Sequence, residues 1–171
     1  MQHKLLLFLL FSPALFGSIL PWEYVKLDEN ASISFPSKPD KTIFEGKQVW
    51  IASVDSTAQC MAMITDLKKM GLDANTLNER LKRKETYQTI KGGMLRGSPG
   101  AIALSESITT FKGKPAYILK LDLKGEKEDF SIAYILTVYV NVKMYTFTFM
   151  EKYQNPHEAD KNKFWNSLKF E

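Results

Sequence analysis

Chemistry in this chain would have to run through very few side chains. Apart from His3 near the start, the single histidine is His157. A Ser-His-Asp hydrolase, in which an imidazole takes the proton of an attacking hydroxyl, would therefore have to be built on it. The run Asn155-Pro156-His157-Glu158 predicts the opening of a closing helix, with Asn155 as cap, Pro156 in the first turn and His157 beside it. There the imidazole reads as a solvated surface group. A Cys60–His157 dyad would draw its thiol from Gln59-Cys60-Met61-Ala62-Met63-Ile64, an apolar strand, where burial raises the thiol pKa and blunts the nucleophile. Cys60 reads as a structural core thiol.

Metal chemistry has equally thin support. Zinc needs several Cys or His ligands, and calcium needs clustered oxygens. Asp122, Glu126, Glu128 and Asp129 come closest, but Lys124 and Lys127 are interleaved with them, the pattern of a solvated hairpin tip. Gly92-Gly93-Met94-Leu95-Arg96-Gly97 has no Lys-Ser/Thr after it and no strand before it, so it is no phosphate loop. No cofactor is implied. Asn30-Ala31-Ser32 fits the glycosylation sequon. One charged pattern is left: Arg80, Arg83, Lys84 and Lys91 recur at helical spacing beside Leu77 and Leu81. Such a row is ordinarily the solvated side of a helix. Its functional alternative is a docking stripe for an acidic protein surface or anionic headgroups.

These residues must be held by an alternation of strands and helices. Residues 22–27 and 31–35 predict two short strands, the second with period-two alternation, stopped by Pro36-Ser37-Lys38-Pro39-Asp40. Residues 49–55 and 59–67 predict a hairpin. Asp73 and Thr76 then offer caps for one helix over roughly 73–90, ended by Gly92-Gly93. Ile102 to Phe111 and Tyr117 to Leu123 predict two strands around Lys112-Gly113-Lys114-Pro115. Gly125 to Glu128 predict a turn, and Phe130 to Val140 a central strand covered on both faces. Asn141 turns the chain into Tyr145, Phe147 and Phe149. The closing helix carries Ala159, Phe164, Trp165 and Leu168, with Phe164 and Leu168 expected against the sheet, and 168–170 extending back toward it. Strands in uninterrupted runs pair antiparallel, so the expected class is α+β, an antiparallel sheet flanked by helices.

The beginning of the chain carries a targeting pattern. Lys4 precedes an unbroken apolar run, Leu5 to Phe11, followed by Ser12-Pro13-Ala14 and Gly17-Ser18, which predicts a secretory signal peptide. A spanning helix needs about 20 apolar residues, and this run is interrupted early. Later cleavage sites, after Gly17 or Ser18, leave the longer apolar run. The division is a signal peptide over 1–18 and one domain over 19–171. The only cysteine, Cys60, lies far from that run, so no lipobox is present, and a single cysteine makes no intramolecular disulfide. The domain must rely on packing, for which about 150 residues suffice. Net charge is +4, too modest to imply nucleic acid.

Four segments resemble a known family. They are Ser32-Ile33-Ser34-Phe35-Pro36, Gly113-Lys114-Pro115-Ala116, Val142-Lys143-Met144-Tyr145-Thr146-Phe147, and the ending Phe164-Trp165-Asn166-Ser167-Leu168-Lys169-Phe170. In this order they resemble the PsbP-like, Mog-type fold, which includes DcrB-like bacterial envelope proteins. The resemblance implies an α/β/α sandwich without catalytic chemistry that binds other proteins; no family site transfers residue by residue. The expected function is an exported, periplasmic or secreted, non-enzymatic accessory or binding module with a protein partner in the cell envelope. The alternatives are an anionic-surface binder using Arg80, Arg83, Lys84 and Lys91, and a hydrolase using a serine with His157.

Overall fold

A computed structural model describes residues 21–124 and 130–171. The signal-peptide reading and the 125–128 turn lie outside the described residues, as do Glu126, Glu128 and Asp129. The described chain is α+β, with antiparallel strand pairing throughout. Seven strands form the main sheet: β3 (Asp40–Phe44), β4 (Lys47–Ser53), β5 (Ala58–Asp66), β6 (Ile102–Phe111), β7 (Lys114–Asp122), β8 (Ile132–Val140) and β9 (Lys143–Glu151). Their spatial order is β3-β4-β5-β9-β8-β7-β6. A smaller sheet joins β1 (Glu23–Lys26), β2 (Ala31–Phe35) and β10 (Lys169–Phe170), with β2 in the middle.

Two apolar layers sit on opposite faces of the main sheet, because successive side chains of a strand point to opposite sides. Cys60 and Ala62 of β5, Leu136 and Val138 of β8, and Tyr145, Phe147 and Phe149 of β9 face one side. There they meet Ile33 and Phe35 of β2 and Phe164 and Leu168 of the closing helix α3 (Glu158–Ser167) and its end. Tyr117, Leu119 and Leu121 of β7 with Ile135 and Tyr139 of β8 face the other side. There they meet Leu77 and Leu81 of α1 (Ala74–Leu81) and Tyr87 of α2 (Lys84–Arg96). β8 is buried at nearly every position, as its double-sided apolar pattern predicts.

The single helix expected over 73–90 is two helices, and the reason is geometric. At about 100° per residue, Leu81 and Tyr87 would lie about 120° apart on one straight helix, too far for both to point straight into the sheet. The chain instead extends at Arg83 (φ −102°, ψ 131°), which lets Tyr87 pack on Tyr117 with ring centroids 5.4 Å apart. The carbonyls left open at the end of α1 are met by side chains. Thr86 Oγ1 donates to Arg80 O at 2.6 Å and Tyr87 OH to Leu81 O at 2.8 Å. Asp73, not Thr76, caps α1, accepting from the Thr76 N–H at 2.7 Å. Gly92-Gly93 does not end α2: Tyr87, Ile90 and Met94 carry its buried side through the glycines, at a propensity cost of about 1 kcal/mol per glycine. The helix stops at Gly97.

Two further features differ from expectation. β3 is an additional strand, beyond those the sequence predicts; it forms because Glu45 and Gly46, at φ 48° and 73°, make the two-residue turn that suits a hairpin. α3 begins later than Asn155-Pro156 predicts, with His157 as its N-cap, because Glu151 Oε2 takes the His157 N–H at 2.7 Å. Among the described residues no helix is long and apolar enough to cross a membrane.

Candidate functional site

The four cations expected on one helix are divided by the break at Arg83. Arg80 lies in α1, Arg83 caps α2, and Lys84 and Lys91 lie on α2. Lys84, Gln88 and Lys91 stand at i, i+4 and i+7, hence on one side of the helix. Gln88 and Lys91 both reach Glu106 of β6, at 3.2 and 3.0 Å, so this side is turned to the strand. Lys91 is thus engaged in an ion pair, whereas Arg80, Arg83 and Lys84 are exposed.

The strand beneath this row is itself incomplete. Among the described residues β6 is the outermost strand of the seven and pairs only with β7. Its ten residues leave a row of backbone N–H and C=O groups without a ladder partner, the standing invitation of any edge strand. Natural edges are usually blunted by Lys, Pro or brevity. β6 contains neither residue, and its one irregularity is the register shift between Ala103 and Ser105. Ile102, Leu104 and Ile108 are about half exposed, at 51%, 50% and 50%. The sequence shows these aliphatic residues but not their exposure; the signal that could have shown it is the Ser/Thr-rich spacing of 105–110, which lacks the apolar density of β8.

Glu106 fixes the geometry of this edge. Tyr117 OH donates to its Oε2 at 2.5 Å, alongside Lys91 and Gln88. These three donors, Tyr117 first, hold the carboxyl down at about 2. Burial and the same contact push the Tyr117 phenol up. A depressed acid contributes stability that is complete above its unfolded pKa of about 4.3 and is lost as pH falls toward the folded value. The melting temperature of Glu106→Gln should therefore lie below that of the parent at neutral pH, and the gap should close between pH about 4.5 and about 2. A gap of constant size across a pH series of thermal melts would show that the ionised carboxylate does not join α2 to β6.

His157 sits in a polar knot between the β4–β5 turn and the start of α3. Its Nε2 lies 2.9 Å from Thr57 Oγ1 and 3.5 Å from Asp55 Oδ2, and its Nδ1 lies 3.0 Å from Asp160 Oδ2. The hydroxyl that the fold brings to this imidazole belongs to a threonine, not to a serine. Thr57 also donates to Asp55 Oδ1 at 2.7 Å, the reverse of what a base-activated nucleophile needs, since its proton is directed away from the ring. The knot ties the β4–β5 hairpin to the start of α3. Cys60 is fully buried on the opposite strand face from the helices α1 and α2, and burial pushes its thiol far up. The fold places neither a paired nor an exposed thiol there. Among the described residues no group of three or more His, Cys, Asp or Glu is placed to hold a metal ion.

A second polar cluster joins the small sheet to the main one. Asp28 accepts from Lys143 Nζ and Tyr145 OH, each at 2.8 Å, and from the N–H groups of Asn30 and Ala31 at 2.9 and 3.1 Å. Burial alone would raise the Asp28 carboxyl, but these donors together hold it below its ordinary value.

No family model matches the chain, and no curated protein sequence matches it. Similar solved structures include the solution structure of cyanobacterial PsbP (CyanoP) from Synechocystis sp. PCC 6803. It is 12% identical, with a TM-score of 0.49, over 82% of this chain and 86% of that one. A protein of unknown function, PA94, from Pseudomonas aeruginosa is 13% identical, with a TM-score of 0.41, over 81% and 85%. A protein from Bacteroides thetaiotaomicron VPI-5482 is 9% identical, with a TM-score of 0.39; the match spans 82% of this chain but 45% of that one. The first of these is of the PsbP type that the sequence motifs resemble, and none of the three bears a DcrB-like description.

Proposed function

We propose that this protein is an exported, non-enzymatic binding or accessory module of the cell envelope, and that a protein partner adds an extended segment to the free edge of β6. The observation that carries the reading is the edge itself: ten residues long, paired on one side only among the described residues, with Ile102, Leu104 and Ile108 half exposed. Strand addition draws affinity from main-chain hydrogen bonds and specificity from alternate side chains. Lys84, on the side of α2 that faces β6, favours an acidic residue in the added segment, and Arg80 and Arg83 supply a longer-range attraction to such a partner. The likeness of the sequence motifs to the PsbP-like fold and the targeting pattern of residues 1–18 point the same way.

The test compares partner capture from envelope extract by three proteins. These are the parent, an edge variant with Leu104→Lys and Ile108→Lys, and a charge variant with Arg80, Arg83 and Lys84 replaced by Gln. Loss of the same captured protein from the edge variant, with weaker and less salt-sensitive capture by the charge variant, is the expected result. Capture unchanged by the edge substitutions but abolished by the charge substitutions would replace this reading with the anionic-surface one. Hydrolysis of ester substrates that disappears with His157→Ala would replace both.

A further inference from the structure

The three most exposed large apolar side chains among the described residues gather at one end of the main sheet. Ile43 and Phe44, 74% and 61% exposed, are the last residues of β3 before the Glu45-Gly46 turn. Met70, 69% exposed, ends the single helical turn Leu67–Met70 that follows β5. Lys69 and Met70 line one cleft with Glu45, Gly46 and Lys47, so the helical turn and the hairpin tip share this end. The register sets Ile43 opposite Gln48 and Phe44 opposite Lys47. Successive residues of a strand point to opposite faces, so the tip is apolar on both sides. Neither side is covered, since every residue of β3 is exposed.

Cations surround this apolar end. Lys41 stands on β3 two residues before Ile43, its Nζ 5.0 Å from the centre of the Trp50 ring. Lys68 and Lys69 immediately precede Met70 and are exposed. Among the described residues none of these three lysines is in an ion pair. Glu45 is the one acid at the turn, and Lys47 answers it at 3.6 Å. Asp66 is turned to the Lys68 N–H, which it accepts at 3.0 Å, and Asp40 stands at the far end of β3.

We propose that the β3–β4 tip and the Leu67–Met70 turn form a docking site for an anionic phospholipid bilayer. Ile43, Phe44 and Met70 enter the interface, and Lys41, Lys68 and Lys69 meet the headgroups. The geometry favours a bilayer over a protein surface. A protein surface would cover one face of this ribbon, whereas a fluid interface takes in a tip from both sides. Interfacial apolar groups seat about 5–10 Å deep. Lys41 lies about 10 Å up the strand from Phe44, which holds its ammonium at headgroup level while Phe44 is immersed. Basic residues add attraction to anionic lipid, and salt weakens it. β3 and β6 are opposite edges of the seven-stranded sheet, roughly 30 Å apart at the usual strand spacing. The site is therefore independent of the β6 edge, and each can fail without the other.

The full-length chain is sedimented with vesicles of equal parts phosphatidylglycerol and phosphatidylcholine, and with vesicles of phosphatidylcholine alone. The apolar run Leu5 to Phe11 has its own affinity for lipid, so a site-resolved readout accompanies the binding curves. NMR signals of the unsubstituted protein are recorded with bicelles of the anionic mixture carrying a nitroxide on the acyl chain. The expected result is broadening at Ile43, Phe44 and Met70, with Ile102 and Ile108 of the opposite edge left sharp. Ile43→Thr with Phe44→Thr keeps strand propensity and should lower vesicle affinity about tenfold or more without moving the thermal midpoint. Replacing Lys41, Lys68 and Lys69 by Gln should cost about fivefold or more on the anionic vesicles and nothing on the neutral ones. Replacing Arg80, Arg83 and Lys84 by Gln should leave binding unchanged. The proposal is overturned by broadening confined to the Leu5 to Phe11 run or to Ile102, Leu104 and Ile108. It is equally overturned by full retention in the double Thr variant, by equal affinity of the parent for anionic and neutral vesicles, or by loss in the Arg80, Arg83 and Lys84 variant. Because the broadening is read in the unsubstituted protein, it decides the question even if a variant fails to fold.

Discussion

Replacing Phe164 by alanine is expected to lower the unfolding free energy by about 3–5 kcal/mol, the range for truncating a fully enclosed phenylalanine. Phe164 is completely buried and sits at the junction of three elements. Its ring centroid lies 5.4 Å from that of Phe35 on β2 and 6.4 Å from that of Phe147 on β9. α3 and the small sheet therefore share this one anchor, and neither can move in to fill the cavity without losing the other contact. Ser167 Oγ, at the end of the same helix, accepts the Ser34 N–H at 2.9 Å, which pins the alternatives further. The measurement is the midpoint of chemical denaturation at constant m-value. A shift worth less than about 1 kcal/mol would mean that α3 is not docked as described, since even Ile→Val truncations in a core reach that size.

Asp28→Ala should cost about 2–3 kcal/mol, because a buried donor deprived of its acceptor loses about 1–3 kcal/mol and the turn loses two backbone bonds besides. Tyr145 is fully buried and its hydroxyl donates to Asp28. Lys143 is better placed to recover, since Glu29 lies 2.5 Å away. The loss should therefore run chiefly through Tyr145 and through the N–H groups of Asn30 and Ala31. A double-mutant cycle isolates it: Tyr145→Phe should cost less in the Asp28→Ala background than in the parent, because the stranded hydroxyl is removed with it. Strict additivity of the two substitutions would show that this hydrogen bond carries none of the effect.

The strands that bury one or both faces were legible in the sequence. The alternation of Ile33 and Phe35, the double-sided run of β8, and Tyr145-Phe147-Phe149 each report a sheet face directly. β3 was not legible because every residue from Asp40 to Phe44 is exposed, so no contrast of polarity marks it; Glu45-Gly46, flanked by Ile43-Phe44 and Val49-Trp50, was the available clue. The helix break was hidden because Arg83 and Lys84 are good helix formers and the stop is made by tertiary contacts, the seat of Tyr87 on Tyr117 and the capping hydroxyls of Thr86 and Tyr87. Candidate-site residues fared similarly. Helical spacing identified Lys84 and Lys91 as sharing a side, but only the fold shows that this side meets Glu106 at an open strand edge, and that Arg80 belongs to another helix.

The central claim is that a partner extends the sheet at β6, and backbone hydrogen exchange of the complex reads this directly. Amide exchange of the full-length chain is measured alone and with the captured partner bound. The account predicts new protection along Ser105 to Phe111, strongest at alternate residues, as an added antiparallel strand requires. It predicts little change along β3, the opposite edge of the same sheet. Protection that appears on α1 and the first turn of α2 while the amides of β6 exchange as in the free protein would contradict it.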